Sequence, residues 1–374
     1  MKILFTCGGT AGHINPALAV ASGMKERFPD CEILFIGASG NMEEKLVPLA
    51  GFDIKTVKIT NISREHSLSG VTHNIDTVKN VFVSSVIARH ILKEFCPDIV
   101  VGTGGYVCFP VLSAAHELHI PSVIHESNAY PGLTTRMLSR LVDKIMVGVE
   151  GCAQAYPDAS KVVCTGTPVR REFTHLTRAA AREELQLRPD EKLVLSVWGS
   201  LGAAYMNDTV LQMISGVMEE DPSFRLIHVT GSRYYEGFMA KLNEQCPGYA
   251  QKGVAVYEYL HNLPAVMMAA DLILCRSGAS TLSELAYAGK PSILVPSPNV
   301  TENHQEKNAR VLENSHGAKV MLEGQFRPAD LYREICSILN DPEELAKMSA
   351  GAKSCSGEDA TAKIIRVLLD LLKK

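Results

Sequence analysis

Several short stretches carry amides and side chains suited to holding phosphate and sugar groups. In RSGASTLSELA (Arg276–Ala286), Ser277, Gly278, Ala279, Ser280 and Thr281 offer consecutive backbone amides between an apolar run and a helical pattern, and Glu284 follows. A carboxylate accepts two hydrogen bonds side by side, which suits a vicinal diol such as that of a ribose. The same spacing fits a capping box, with Thr281 and Glu284 satisfying orphan amides at a helix start. These eleven residues alone do not choose between a ligand grip and a cap.

Gly8-Gly9-Thr10-Ala11-Gly12-His13 and Gly102-Thr103-Gly104-Gly105-Tyr106 each follow a strand-like run. Glycines let amides approach a phosphate closely, and a helix start favours negative charge. The plainer reading of each is a tight turn. Neither is G-x-G-x-x-G, which argues against dinucleotide-dependent redox chemistry. His13 opens a helix, whose positive end disfavours an imidazolium, so its ring is suited to accept a proton. It could equally be a packing or capping His. HESNAYPG (His125–Gly132) places Glu126, Ser127 and Asn128 together, either for sugar hydroxyls or as a polar turn. His304 and Gln305 in ENHQEKNA offer an imidazole and an amide to a sugar, or a solvated face.

The elements that must position these residues alternate: short β-rich runs, then longer helical patterns. The first half runs from Lys2–Cys7 to Val162–Thr165, with a helix expected from about Pro16, a residue suited to a first turn. The pattern restarts at KLVLSV (Lys192–Val197), and TGTPVRREF between the halves reads as a hinge. Gly199-Ser200-Leu201-Gly202 repeats the spacing of Gly9-Thr10-Ala11-Gly12. The expectation is an α/β protein with two Rossmann-like domains whose parallel sheets face across a cleft. Ligands of open parallel sheets bind beyond the strands' carboxyl ends.

Bulk properties narrow the classes. A chain of 374 residues exceeds what one core usually serves. A net charge of −4 argues against a nucleic-acid partner. The ten cysteines form no C-x-x-C pair, so no zinc or redox motif is expected. With no secretory pattern in MKILFTCGG, they fit a reducing cytosol. The apolar stretch AVMMAADLILC falls short of the ~20 residues that span a bilayer. Ile75–Leu92 carries Val78, Val81, Phe82, Val83, Val86, Ile87, Ile91 and Leu92, too broad for one clean face, so burial is expected. Shallow interfacial docking is the alternative, with Arg64, Lys79, Arg89 and Lys93 around it.

GGTAGHINPALAVA, GTGGYVCFP, HESNAYPGLTTR, GTPVRREF, GSLGAAYMN and CRSGASTLSELAYAGKPSILVP occur in this order. Together they strongly resemble the MurG family, the N-acetylglucosaminyltransferases of bacterial peptidoglycan synthesis. The resemblance implies a GT-B fold and transfer of N-acetylglucosamine from UDP-GlcNAc to the 4-hydroxyl of undecaprenyl-diphosphate-linked N-acetylmuramoyl-pentapeptide (lipid I), giving lipid II. It implies an acceptor and membrane-facing domain over 1–166, a donor domain over 167–355, and a C-terminal helix (356–374) returning to the first. It places the protein peripherally at the cytoplasmic membrane face, beside other cell-wall synthesis proteins, with no cofactor and no metal.

By the same resemblance, Glu284 matches the ribose-binding glutamate and Ser200 the donor-phosphate residue. Ala279, Ser280 and Thr281 match the backbone around the donor, and Leu260 the uracil-pairing position. Arg170 and Asn128 match donor contacts. His304 and Gln305 match sugar contacts, where many members have two glutamines. Gly9, Thr10, Gly12, Gly104, Gly105 and Tyr106 match the acceptor-diphosphate loops, and Ala11 is a further substrate-binding residue. Trp198 stands where glycine is usual, and its bulk would restrict or cover the Gly199 loop. His13 is expected to be the base or its acceptor-side electrostatic partner, with Glu126 the alternative base. Arg170 or Arg276, with turn amides, would stabilise the departing UDP.

Overall fold

The computed structural model describes residues 1–59, 68–199, 202–218, 222–300, 303–357 and 359–373, with side chains throughout except at 68–79. Ser200, Arg64 and the side chains of Val78 and Lys79 lie outside the described residues. The chain divides into two compact units, Met1–Arg170 with Gly357–Lys374, and Arg171–Ser356.

Unit 1 runs β1 (Lys2–Thr6), α1 (Ala11–Arg27), β2 (Glu32–Ala38), α2 (Glu43–Leu49), β3 (Asp53–Val57), α3 (Leu68–Phe95), β4 (Ile99–Gly102), α4 (Cys108–Glu117), β5 (Ser122–Glu126), α5 (Leu133–Leu138), β6 (Lys144–Val147) and β7 (Val162–Cys164). The parallel sheet has the order β3-β2-β1-β4-β5-β6-β7. Ile3, Leu4 and Phe5 are all fully buried, as expected of a strand covered by helices on both faces. Phe5 pairs with Phe35 across β1 and β2, their rings stacked at 5.2 Å.

Unit 2 runs α6 (Glu172–His175), α7 (Arg178–Glu184), β8 (Lys192–Val197), α8 (Ala204–Gly216), β9 (Phe224–Val229), α9 (Tyr235–Gln245), β10 (Val254–Tyr257), α10 (Leu263–Ala269), β11 (Leu272–Cys275), α11 (Ala279–Ala288), β12 (Ser292–Leu294), α12 (His304–Asn314), β13 (Ala318–Val320), α13 (Pro328–Leu339) and α14 (Pro342–Ser354). Its parallel sheet is ordered β10-β9-β8-β11-β12-β13. The last helix, α15 (Ala360–Leu372), belongs to unit 1. Asp359 caps it through Ala362 N, and Ile364, Ile365 and Leu368 share a buried cluster with Ile14 and Val20 of α1. A Cβ on Gly23 would lie 2.7 Å from Thr361 Cγ2, so glycine is what lets α15 approach α1.

Two expectations change here. α1 begins at Ala11, directly on the glycine turn, and Pro16 lies inside it. The hydroxyl of Thr103 donates to the His13 carbonyl at 2.7 Å and pins this early turn. α3 is not buried all round. Ser84, Ala88, Ile91 and Leu92 face inward, while Phe82 (73% exposed), Val83, Val86 (58%) and Ile87 form an outward apolar face. Positions i, i+1, i+4 and i+5 share one helix side, so two apolar faces had merged into one broad pattern.

In each unit the order of the strands reverses once, between β1 and β4 and between β8 and β11. After these strands come Gly8 to Gly12 at the start of α1, Gly104 to Tyr106, Gly199, and Ser277 to Thr281 at the start of α11. The glycine- and amide-rich stretches therefore sit at the topological switch points where such sheets bind ligands.

Candidate functional site

In unit 1 the two glycine turns interlock. Gly8 N donates to Gly104 O at 3.3 Å, and a Cβ on Gly105 (φ +91) would fall 2.2 Å from Gly8 O. The imidazole of His13 lies over Gly104, whose Cβ would meet His13 Cδ2 at 2.6 Å. His13 Nδ1 is 3.1 Å from Gly8 O. A carbonyl only accepts, so this contact is a hydrogen bond in the tautomer that carries its proton on Nδ1 and leaves Nε2 a lone pair; Thr10 Oγ1 lies 3.4 Å from the same nitrogen. The amides of Thr10, Ala11 and Gly12 have no acceptor among the described residues and stand at the positive end of α1.

Gly9 differs from its expected role. Its amide donates to Glu43 Oε2 at 3.3 Å and so already has an acceptor within the protein. It keeps a structural task, since its φ of +85 lets the ring of Tyr106 pack over it. The Tyr106 hydroxyl accepts from Asn41 Nδ2 at 3.0 Å. Burial first, then the Glu43 charge, raises the Tyr106 phenol above its usual range.

Glu126, the alternative base, is fully occupied. Oε1 accepts from Asn128 N (3.1 Å) and Asn128 Nδ2 (2.8 Å), and Oε2 from Gly132 N (2.9 Å) and Thr135 Oγ1 (2.7 Å). It organises the turn into α5. Its neighbour His125 is buried, with Nε2 bonded to Gly166 O at 2.9 Å, and burial pushes its pKa down. Arg170 ends the first segment of unit 1, the unit that also holds Asn128.

In unit 2, Gly278 caps α11 with extended backbone and no side-chain bond. Thr281 is already the third residue inside the helix, so no Thr281–Glu284 capping box forms. Glu284 is 5% exposed, one turn further in. The thiol of Cys275, at the end of β11, is pushed up to about 12 by burial and then by the Glu284 charge. Ser277 Oγ donates to Gln305 O at 2.8 Å, and Gln305 Oε1 accepts from Ser297 N at 2.9 Å. The α11 and α12 starts are thus joined, bringing Ala279, Ser280, Thr281, Gln305 and the neighbouring His304 to one edge of the sheet. Leu260 follows β10 and is buried.

Arg276 is already engaged: it bonds Val295 O and Pro296 O and pairs with Glu323 at 2.5 Å. Trp198, expected to restrict or cover the Gly199 loop, packs inward. It is 3% exposed and points into the core, where Nε1 donates to Ser196 Oγ at 2.9 Å. Ser196 in turn bonds His228 Nδ1 at 2.9 Å. Burial pushes His228 down to about 3, so this ring stays neutral. Sequence reasoning missed Glu43 and His228. The visible signal for His228 was a polar residue inside an apolar strand, in register with Ser196.

Residues 3–147 match the glycosyltransferase family 28 N-terminal domain and residues 193–364 its C-terminal domain. A relative from Acetivibrio thermocellus is 42% identical over 373 residues, covering 100% of this chain and 99% of the relative. It is named UDP-N-acetylglucosamine--N-acetylmuramyl-(pentapeptide) pyrophosphoryl-undecaprenol N-acetylglucosamine transferase. A Bacillus cereus relative, bearing that name with the number 1, is 38% identical over 378 residues and covers 100% of both chains. The crystal structure of Acinetobacter baumannii MurG superposes with TM-score 0.75 at 25% identity, covering 99% of each chain. A Neisseria meningitidis UDP-GlcNAc 2-epimerase bound to UDP-GlcNAc shares the fold, with TM-score 0.67 at 16% identity over 99% of this chain and 100% of that one. With identity over its whole length and both domains matched, the chain belongs to this N-acetylglucosamine transferase family of peptidoglycan synthesis, a GT-B glycosyltransferase of family 28.

Proposed function

We propose that the protein transfers N-acetylglucosamine from UDP-GlcNAc to the 4-hydroxyl of lipid I, with the donor held by unit 2 and the acceptor by unit 1. The observation that carries the donor assignment is Glu284, buried one turn inside α11 at the unit 2 switch point. Thr281 lies inside α11, so Glu284 is not half of a Thr281 capping box, and its two oxygens suit the ribose diol. The amides of Ala279, Ser280 and Thr281 stand at the positive end of the same helix, where the diphosphate gathers charge as it leaves.

UDP-GlcNAc is an α-glycoside and the new linkage is β, so the acceptor oxygen attacks in line through an oxocarbenium-like state. As the oxygen bonds to the anomeric carbon, the bond to UDP breaks and UDP takes the electron pair. The hydroxyl proton goes to Nε2 of His13, which the Nδ1–H tautomer leaves open. Thr10, Ala11 and Gly12 hold the acceptor diphosphate with Gly104, Gly105 and Tyr106 beside them.

The apolar face of α3 supports peripheral docking on the membrane that carries lipid I: Phe82, Val83, Val86 and Ile87 are exposed. No helix among the described residues is long and apolar enough to cross a membrane.

The donor assignment is tested by titrating UDP-GlcNAc into Glu284→Ala in a calorimeter. Loss of charge-assisted bonds worth ~1.5–3 kcal/mol weakens binding roughly 10- to 100-fold. Unchanged affinity with only a lower Tm contradicts the assignment.

A further inference from the structure

We propose that Glu43 positions His13, and holds its proton on Nδ1, through the single peptide unit that joins Gly8 to Gly9. The inference rests on His13 being the group that takes the acceptor's proton.

Glu43 opens α2 and is fully buried. Its Oε1 accepts from Ala38 N at 2.9 Å and its Oε2 from Gly9 N at 3.3 Å. The Gly9 N–H and the Gly8 C=O belong to one planar trans peptide, so they point in opposite directions. On the far side, Gly8 O faces His13 Nδ1 at 3.1 Å. The chain runs carboxylate, Gly9 N–H, Gly8 C=O, His13 Nδ1–H. Hydrogen bonds in series polarise one another, more so where water is excluded. The peptide thus does for His13 what a carboxylate touching Nδ1 does in a hydrolytic triad. It fixes the tautomer, orients the ring and stabilises the imidazolium that forms when Nε2 is protonated.

The surroundings are shaped around this carboxylate. A Cβ on Gly8 would lie 2.4 Å from Glu43 Oε1, and one on Gly37 2.5 Å from Glu43 Cγ. Two glycines therefore make room for one side chain. Tyr106, held by Asn41, closes over Gly9 from the other side. Among the described residues no Lys or Arg forms an ion pair with Glu43. A neutral amide has a single acceptor oxygen and could not take both the Ala38 and the Gly9 N–H groups as this carboxylate does.

The test combines ring-nitrogen NMR of 15N-His-labelled full-length protein at alkaline pH with transfer kinetics on a soluble lipid I analogue. Wild type is expected to show His13 as Nδ1–H. Glu43→Gln turns an amide donor towards one of the two N–H groups. It is expected to shift His13 towards Nε2–H and to lower kcat about 10-fold, part of what a general base supplies, with both KM values little changed. In a His13→Ala background the same change is expected to cost no further activity. Should Glu43→Gln fail to fold, the wild-type tautomer still decides, since Nε2–H there contradicts the link. If His13→Ala keeps wild-type turnover, the base assignment fails, while a Glu43-dependent tautomer still supports the coupling. If His13→Ala loses turnover but Glu43→Gln leaves tautomer and kcat unaltered, the Glu43 link alone is overturned.

Discussion

The hydroxyl of Ser277 donates to the main-chain carbonyl of Gln305 at 2.8 Å, tying the entry of α11 to the entry of α12. Asn308 reinforces the tie through Ser277 O, and Gln305 Oε1 holds Ser297 N. The groups assigned to the donor sugar are therefore set by the fold. Ser277→Ala removes one bond worth ~0.5–1.5 kcal/mol and is expected to weaken UDP-GlcNAc binding roughly 2- to 10-fold. Calorimetry on the purified variant checks this, and an unchanged Kd means the tie does not shape the donor site.

Glu126 should behave as a structural residue. Glu126→Ala leaves the amides of Asn128 and Gly132 and the hydroxyl of Thr135 without their acceptor, and a loss of about 3 kcal/mol is expected. Denaturant unfolding measures it. A variant of full stability whose only defect is in turnover would restore Glu126 as a candidate base.

His228 makes unit 2 acid-sensitive. Its folded pKa of about 3 lies below the ordinary 6.5, so between these values the unfolded chain binds a proton that the folded one refuses. This contribution to stability is complete above about pH 6.5 and is lost as pH falls towards 3, at ~1.4 kcal/mol per pH unit. His228→Gln is expected to flatten the acid limb by one proton's worth. Identical slopes for wild type and variant in urea titrations at pH 4 to 6 would mean that the ring is charged in the folded state.

The α3 face predicts lipid-dependent binding. Replacing Phe82 and Val86 by Ser removes two exposed apolar side chains, each worth ~1.5–3 kcal/mol when fully buried, so partitioning onto anionic vesicles is expected to fall at least about 10-fold. Flotation assays measure it, with Tm as the control for folding. Undiminished flotation would move membrane contact to another face.

What the residues disclose by themselves follows the range of each signal. Alternating apolar runs and glycine turns are local, so the two parallel sheets and the turns after β1, β4, β8 and β11 are legible from spacing. Glu43 is not. It meets Gly9 from 34 positions away and looks like either of two acidic residues in the first turn of α2. Trp198 shows the same limit: its bulk is plain, but its direction depends on Ser196 and His228 in the core. Thr281 and Glu284 have capping-box spacing, yet the cap is Gly278, and three residues decide the outcome. On α3 the broad apolar band hides two faces until Ser84, Ala88 and Leu92 take the inward side.

The most direct measurement of the central claim uses UDP-GlcNAc labelled in its sugar, mixed with the purified protein with and without lipid I. Label is expected to enter a lipid-extractable product only when lipid I is present, with UDP released in equal amount. Release of UDP and an altered sugar from the donor alone, with no labelled lipid, would contradict the transferase account.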